Sequence, residues 1–177
     1  MLNREIIAKR LAISACTMVI ALIGCMVHPC FNEAYAQPRV SFAKGWPIIL
    51  KGGDWDSGLA SDRVGMGYTM KIGKTAFSAD VVLVLGDSPR PNFQFPVAAG
   101  WMIIDRFSLA IGAFYQVNPG YDDTNLRHMV GIGGGPGWKV VDGVTLSFTT
   151  GPSILWGEGL KENIIGWIFQ PKVTFTF

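Results

Sequence analysis

The amino-acid sequence predicts an all-β protein: an eight-stranded antiparallel up-and-down transmembrane β-barrel, preceded by a cleaved signal peptide. Three observations lead to this prediction. Apolar residues alternate with small or polar ones from residue 64 onward, which is typical of strands rather than helices. Long polar connections alternate with short turns, as in a series of hairpins. Charged residues are rare inside the predicted strands, so neither face of the sheet suits contact with water.

The N-terminal segment has the organisation of a secretory signal. Three basic residues precede an uncharged apolar run over residues 11–27: Arg4, Lys9 and Arg10. Ala34 and Ala36 before Gln37 form an A-x-A cleavage site. We therefore expect residues 1–36 to be the signal peptide and residues 37–177 to form the barrel. The alternative is a lipobox that ends at Cys25, which would then carry lipid.

The composition of residues 37–177 excludes several function classes. All three cysteines lie before the expected cleavage site: Cys16, Cys25 and Cys30. A disulfide framework and a thiolate metal site are therefore not expected. The remaining 12 basic and 11 acidic residues give a net charge of +1, which offers no electrostatic attraction for nucleic acid. We expect no cofactor, no metal and no nucleic-acid partner.

The alternation of apolar and polar residues divides the body into eight strands. Their predicted ranges are 40–50, 64–72, 76–85, 93–104, 107–117, 129–140, 144–155 and 165–177. The long connections are 51–62, 86–92, 118–126 and 156–162, and the short turns are 73–74, 104–106 and 141–143. The short turns set Lys71 opposite Ala76 and Lys139 opposite Thr145, so that each pair shares a face. All short turns therefore lie at one end of the barrel.

The charges and the aromatic residues decide which face meets lipid. Five of the 23 charged residues of the body lie well inside strands: Lys44, Lys71, Asp80, Lys139 and Lys172. One face carries many bulky aromatic side chains, including Trp101, Phe148 and Trp167, which are too many for an eight-stranded interior. That face is predicted to contact lipid. Strands in hydrocarbon must close into a barrel, because their backbone groups need internal partners.

The first strand fits this assignment poorly at Lys44. Parity with Phe42 and Trp46 places Lys44 on the lipid face, where a lysine at the bilayer midplane costs about 2–4 kcal/mol. Two interpretations are open. A bulge near Gly45 turns the side chain inward, or the strand begins later than residue 40.

The last strand carries the resemblance to a known class. It ends Val173-Thr174-Phe175-Thr176-Phe177, and together with the even strand count and alternating connections it resembles the small outer-membrane barrels of the OmpA/OmpX/OmpW type. The resemblance implies a location in the outer membrane of a Gram-negative bacterium, with periplasmic termini and extracellular long loops. It also implies that Phe177, Phe175 and Val173 form the signal read by the barrel-assembly machinery.

The inward face holds the candidate functional residues. A polar cluster is predicted there: Lys71, Asp80, Lys139 and Lys172. Asp80, placed opposite Gly67, is the one acidic residue that we assign to this face. A buried carboxylate is costly unless it is paired or hydrated. We therefore expect Asp80 to be tied to at least one of the three lysines.

Three other motifs are weaker candidates. His128 resembles the rim histidine of lipid A-modifying barrels, but no His-x-Ser pattern follows it, so we interpret it as a rim residue without catalytic role. The glycine-rich run over residues 131–137 lacks the helix that a phosphate loop needs. Its alternate glycines are expected to leave room in the lumen for Met102, Phe114 and Ile168. The acidic segment over residues 54–58 is too short for a calcium loop.

Two functions from different classes follow from these observations. The first is a non-enzymatic barrel with a structural or surface-interaction role, whose four extracellular loops contact lipopolysaccharide and other surface partners. The alternative is a narrow channel or binding pocket for a small, partly apolar solute, as in the OmpW type. A lipid A-modifying enzyme on the extracellular rim is a more distant alternative. The sequence does not indicate an oligomeric state.

Overall fold

The computed structural model describes residues 35–51, 61–86, 92–119, 126–158 and 160–177. These residues form a closed antiparallel barrel in which each strand pairs with its neighbours in sequence and the last pairs with the first. The strands are β1 (Tyr35–Lys51), β2 (Ser61–Ile72), β3 (Thr75–Leu85), β4 (Asn92–Ile104), β5 (Phe107–Pro119), β6 (Leu126–Val141), β7 (Val144–Gly157) and β8 (Ile164–Thr176). The predicted fold class is confirmed. Within the described ranges no helix is long and apolar enough to cross a membrane.

The predicted signal peptide lies almost entirely outside the described residues. The lipobox at Cys25 and the first alanine of the cleavage site, Ala34, belong to the undescribed segment. β1 begins at Tyr35 and pairs Tyr35 with Lys71 and Ala36 with Met70. Cleavage after Ala36 would therefore leave a β1 that starts at Gln37.

The strands extend further than the sequence predicts. β1 starts five residues before the predicted position, and β2 and β6 each start three residues early. β1 has 17 residues and β6 has 16, whereas about 9–11 residues are enough for a strand to cross the hydrocarbon layer. The added residues lie at strand ends, where polar side chains weaken the apolar alternation on which the prediction depends.

The register confirms the pairings predicted at the first and third short turns, whereas Ile104 and Val141, predicted as turn residues, belong to β4 and β6. Lys71 pairs with Ala76, and Lys139 pairs with Thr145. Gly73 and Gly143 have φ angles of 59° and 79°, a left-handed conformation that glycine adopts without steric cost. The register shifts between Lys139 and Val141, so the third short turn combines a tight connection with a bulge.

The outer face is apolar, as predicted. Large exposed side chains cover it on every strand, including Met66, Trp101, Ile111, Ile132 and Leu146. The indole N–H of Trp167 on this face has a partner there, since its Nε1 donates to Thr150 Oγ1 at 2.6 Å. Such a surface is stable in hydrocarbon and unstable in water. The molecule is therefore a transmembrane barrel.

Both interpretations of Lys44 were wrong. Pairing with β8 continues in one register from Ala43 to Trp46, so there is no bulge at Gly45, and β1 begins earlier rather than later. Lys44 stays on the outer face and forms an ion pair with Asp62, its neighbour on β2, with 3.3 Å between Nζ and Oδ1. Both side chains are about half exposed or more. The lysine is tolerated because it lies near the loop end, where an interfacial charge costs little.

Candidate functional site in the barrel lumen

The loop end of the lumen is filled by an apolar plug. Four side chains that are 2–4% exposed form it: Met129, Leu155, Ile164 and Ile168. Ile49, Phe114 and Leu160 pack against them. Close-packed apolar side chains leave no space for water or ions to pass. Within the described residues, the lumen is therefore closed at this end.

One of the β6 glycines makes room for a side chain that packs against this plug, but not all of them have the predicted role. A Cβ added at Gly131 would lie 2.3 Å from the Phe114 ring, so only glycine accommodates that ring. Met102, for which these glycines were also expected to leave room, is 39% exposed and lines the lumen at the short-turn end, where its backbone N–H donates to the Lys74 carbonyl. At Gly135 the added Cβ would meet the Phe148 carbonyl oxygen at 1.9 Å. There the glycine permits a close approach of two backbones instead.

A buried arginine lies directly below the plug. Arg63 is 4% exposed, and its Nη1 donates to Gln94 Oε1 at 3.2 Å and to Gln170 Oε1 at 2.9 Å. A Cβ added at Gly45 would lie 2.7–2.8 Å from the guanidinium, so the guanidinium passes β1 at a glycine and would have to shift for any larger residue. Among the described residues no carboxylate pairs with Arg63. Its charge is hydrogen-bonded but not neutralised.

The acidic residue of the lumen has a different partner from the one predicted. Arg39 Nε donates to Asp80 Oδ1 at 2.7 Å, and Arg39 Nη2 bonds the second carboxylate oxygen. Arg39 Nη1 also donates to Thr69 Oγ1 at 3.2 Å. The expectation that a lysine ties Asp80 is therefore wrong. The reason is parity: β1 begins before residue 40, and Arg39 points inward beside Gly67, which pairs with Asp80.

The three predicted lysines are not one cluster around Asp80. Lys139 pairs with Asp142 of the adjoining turn at 2.5 Å, and its side chain is 42% exposed. Lys71 is exposed at the end of β2. Lys172 projects into the lumen, where the charges of both Arg39 and Asp80 act on it. It forms no ion pair within the described ranges. The hydrogen bond and positive charge of Lys139 lower the pKa of Asp142.

Below Arg63 the lumen is hollow. A cavity of about 550 Å³ extends from Val82, Phe114 and Ile168 to the short turns, and the turn residues Lys74 and Gly143 form part of its wall. We call it the lumen cavity. It opens at the short-turn end, since residues of three turns surround it there.

The wall of the lumen cavity is strongly basic. Seven basic and two acidic residues line it: Arg39, Arg63, Lys71, Lys74, Arg106, Lys139 and Lys172, with Asp80 and Asp142. The excess is five positive charges. Most of the other lining residues are small or carry hydroxyl groups, so the space is wide enough to hold a solute and rich in hydrogen-bond donors. Its chemistry suits an anion rather than an apolar molecule.

His128 lies on the outer face, away from the cavity. Its Nδ1 is 2.6 Å from Tyr115 Oη, and its ring stacks between those of Tyr115 and Trp156. This arrangement is typical of the aromatic girdle of a membrane barrel. The nearby residues Asp122 and Asp123 and the acidic segment over residues 54–58 lie outside the described residues. Within the described ranges no three His, Cys, Asp or Glu residues could hold a metal ion together.

Sequence reasoning missed the two residues that organise the lumen. Arg39 and Arg63 lie just outside the predicted strands 40–50 and 64–72, and both belong to longer strands in the structure. Parity could have found them: Arg39 keeps the period of Ser41 and Ala43, and Arg63 that of Gly65. The predicted assembly-signal residues lie on the outer face, where Phe175 packs edge-to-face on Phe42 with 6.2 Å between ring centroids.

The fold and the lumen define a class: small eight-stranded β-barrels like those of bacterial outer membranes. Neisserial surface protein A is similar, with a TM-score of 0.50 and 14% identity over 81% of this chain and 97% of that one. The N-terminal barrel of Pseudomonas aeruginosa OprF has a TM-score of 0.46 and 12% identity, over 81% and 100% of the two chains. P. aeruginosa OprH has a TM-score of 0.47 and 14% identity, over 80% and 99%. No protein-family model matches the chain. No curated protein matches it.

Proposed function

We propose that this protein is a closed barrel of the bacterial outer membrane, with its short turns in the periplasm and its four long connections outside. Its role is non-enzymatic and is exerted at the cell surface. The observation that carries the proposal is the apolar plug, which closes the loop end of the lumen. A barrel closed there presents loops and does not pass solutes. The apolar outer face provides the membrane anchorage.

The charge distribution supports lipopolysaccharide as the surface partner. The long connections and the strand ends beside them contain eight acidic and four basic residues, counted over residues 51–62, 86–92, 118–127 and 156–162. Arg63 is not counted, because its side chain lies in the lumen. Acidic loops beside anionic lipid favour bridging by divalent ions, whose preferred ligands are oxygens. Lipopolysaccharide is therefore expected to bind the purified protein in Mg²⁺ and to dissociate in EDTA. Binding that EDTA leaves unchanged would contradict divalent bridging.

Conductance across a planar bilayer tests the closed lumen. Wild-type protein is expected to give no steady current, because ions cannot cross the apolar plug. The double variant Leu155→Ala/Ile164→Ala, which shortens two paired residues of the plug, should conduct.

The control is Ile154→Ala/Ile165→Ala, the adjacent pair on the outer face. It removes the same kind of side chain at the same height without touching the lumen, so it should stay silent. A steady current through the wild-type barrel would refute the closed lumen and favour a passage for solutes.

A further inference from the structure

The charges that line the lumen cavity are not balanced by the protein. Arg63 and Lys172 have no carboxylate partner within the described residues, and the single carboxylate at that depth, Asp80, is already bonded by Arg39 through two nitrogens. Bringing like charges together inside a barrel is unfavourable unless counter-charge or water compensates them. The wall therefore carries an excess of positive charge.

The shape of the lumen cavity determines from which end of the barrel an anion can enter. The apolar plug closes the loop end, whereas Lys71, Lys74 and Arg106 surround the opening at the short turns, beside the ion pair of Lys139 with Asp142. A ring of positive charge at the mouth of a cleft raises the local concentration of anions. A solute can enter from the short-turn side alone, and it is attracted there if it is negative.

The remaining lining favours a ligand with several oxygen acceptors. Hydroxyl groups of Ser41, Thr69 and Ser78 line the cavity. Ser147, which pairs with Lys172 across β7 and β8, has a buried Oγ without a hydrogen-bond partner. Guanidinium, ammonium and hydroxyl donors together are the groups that bind phosphate and sulfate oxygens. A volume of about 550 Å³ is that of a small-molecule site.

We propose that the lumen cavity is a binding site, open to the short-turn side, for a small water-soluble anion that bears phosphate or sulfate groups. Lys172 contacts the anion at the inner end of the cavity, and the basic residues of the turns attract it at the mouth. This inference is independent of the proposed surface role: an anion can bind in the cavity whether or not the loops bind lipopolysaccharide.

Calorimetric titration of pyrophosphate into the purified full-length protein in detergent tests the site. Sodium chloride holds the ionic strength constant, so that general screening does not contribute. Saturable binding of about one pyrophosphate per barrel is expected. Lys172→Met should weaken it about tenfold or more, the usual loss for a charge-assisted hydrogen bond, and Lys172→Arg should retain most of it.

Lys44→Met is the matched control, because Lys44 is a cation of the outer face that pairs with Asp62 outside the lumen. Its affinity should equal that of the wild type. If Lys172→Met does not fold, Arg106→Met in the turn replaces it, with a smaller but measurable loss expected. Absence of saturable binding by the wild-type protein overturns the proposal, and so does equal weakening by Lys44→Met.

A second titration separates a soluble anion from a lipid headgroup. Dihexanoyl phosphatidylglycerol carries a phosphate on a body with two acyl chains, which the polar wall of the lumen cavity does not suit. Pyrophosphate binding that this lipid does not displace supports the proposal. Lipid binding that depends on Lys172, without any pyrophosphate binding, would overturn the assignment to a soluble ligand.

Discussion

At the scale of single residues, the buried bond between Arg39 and Asp80 is expected to contribute to the stability of the barrel. Asp80 is 7% exposed, and the Arg39 side chain is 12% exposed. Breaking a buried ion pair leaves an uncompensated charge and costs about 3–5 kcal/mol. Asp80→Ala is therefore expected to lower the free energy of unfolding by about that amount, measured in urea with the protein refolded in detergent.

Two further variants test whether loss of the ion pair causes the loss of stability. Asp142→Ala removes a carboxylate that is 97% exposed in a turn and should leave stability unchanged. The double variant Arg39→Met/Asp80→Leu removes both charges, and it should be more stable than Asp80→Ala because no charge remains without a partner. A double variant as unstable as the single one would show that the cost lies in packing.

The partner of Asp80 shows which properties of a single residue can be predicted from this sequence and which cannot. The requirement for a cation follows from burial alone, and the position opposite Gly67 follows from the two-residue turn; the structure has both. The identity of the cation depends on which side chains of non-adjacent strands meet across the barrel. That is determined by strand stagger, which local alternation does not contain. Lys44 illustrates the same limit, since its partner Asp62 lies in a segment predicted to be a loop.

At the scale of the elements, β8 joins the two ends of the chain into a barrel. It pairs with β7 along its length and with β1 from Arg39 to Lys51. Phe177 follows the strand, and its backbone N–H donates to the Pro38 carbonyl at 3.0 Å, but its side chain is 72% exposed. The ring therefore adds little to the stability of the folded barrel, which agrees with a role before folding is complete.

Phe177→Ala separates assembly from stability. If the ring is part of an assembly signal, the variant should accumulate poorly in the membrane of cells while it refolds from urea in detergent like the wild type. The measurements are the membrane yield and the unfolding midpoint. Shortening the loop over residues 52–60 is the control, and it should lower the membrane yield less. Equal losses of yield, or a matching loss of refolding, would argue against an assembly signal.

The elements are the level at which the sequence is most informative. Alternation identifies all eight strands of the described barrel, and the glycines of the turns at 73 and 143 fix their register. These signals are local and repeat on every hairpin, so errors do not accumulate along the chain. The strand ends are less predictable, because beyond the hydrocarbon layer both faces are polar and the alternation disappears.

At the scale of the whole molecule, the two ends of the barrel differ in charge. The short-turn end and the lumen are basic, whereas the segments that join the strands at the opposite end are predominantly acidic. The plug separates these two halves. The sequence predicts the difference in connection length, but not that the lumen is divided, because the plug assembles from side chains of β6, β7 and β8 that meet only in the closed barrel.

This asymmetry predicts the orientation of the barrel in the membrane, with the short turns in the periplasm and the long connections outside. Cleavage after Ala36, as the sequence predicts, would leave a mature chain without cysteine, in which a single introduced thiol reports its own location. Lys161 lies exposed in the connection before β8, and Lys74 lies exposed in the first short turn. A membrane-impermeant maleimide added to intact cells should label Lys161→Cys, and it should label Lys74→Cys only after the outer membrane is permeabilised. Labelling of Lys74→Cys in intact cells would show that the orientation is the reverse, with the lumen cavity open to the cell exterior. Labelling of the wild-type chain would show that a native cysteine remains.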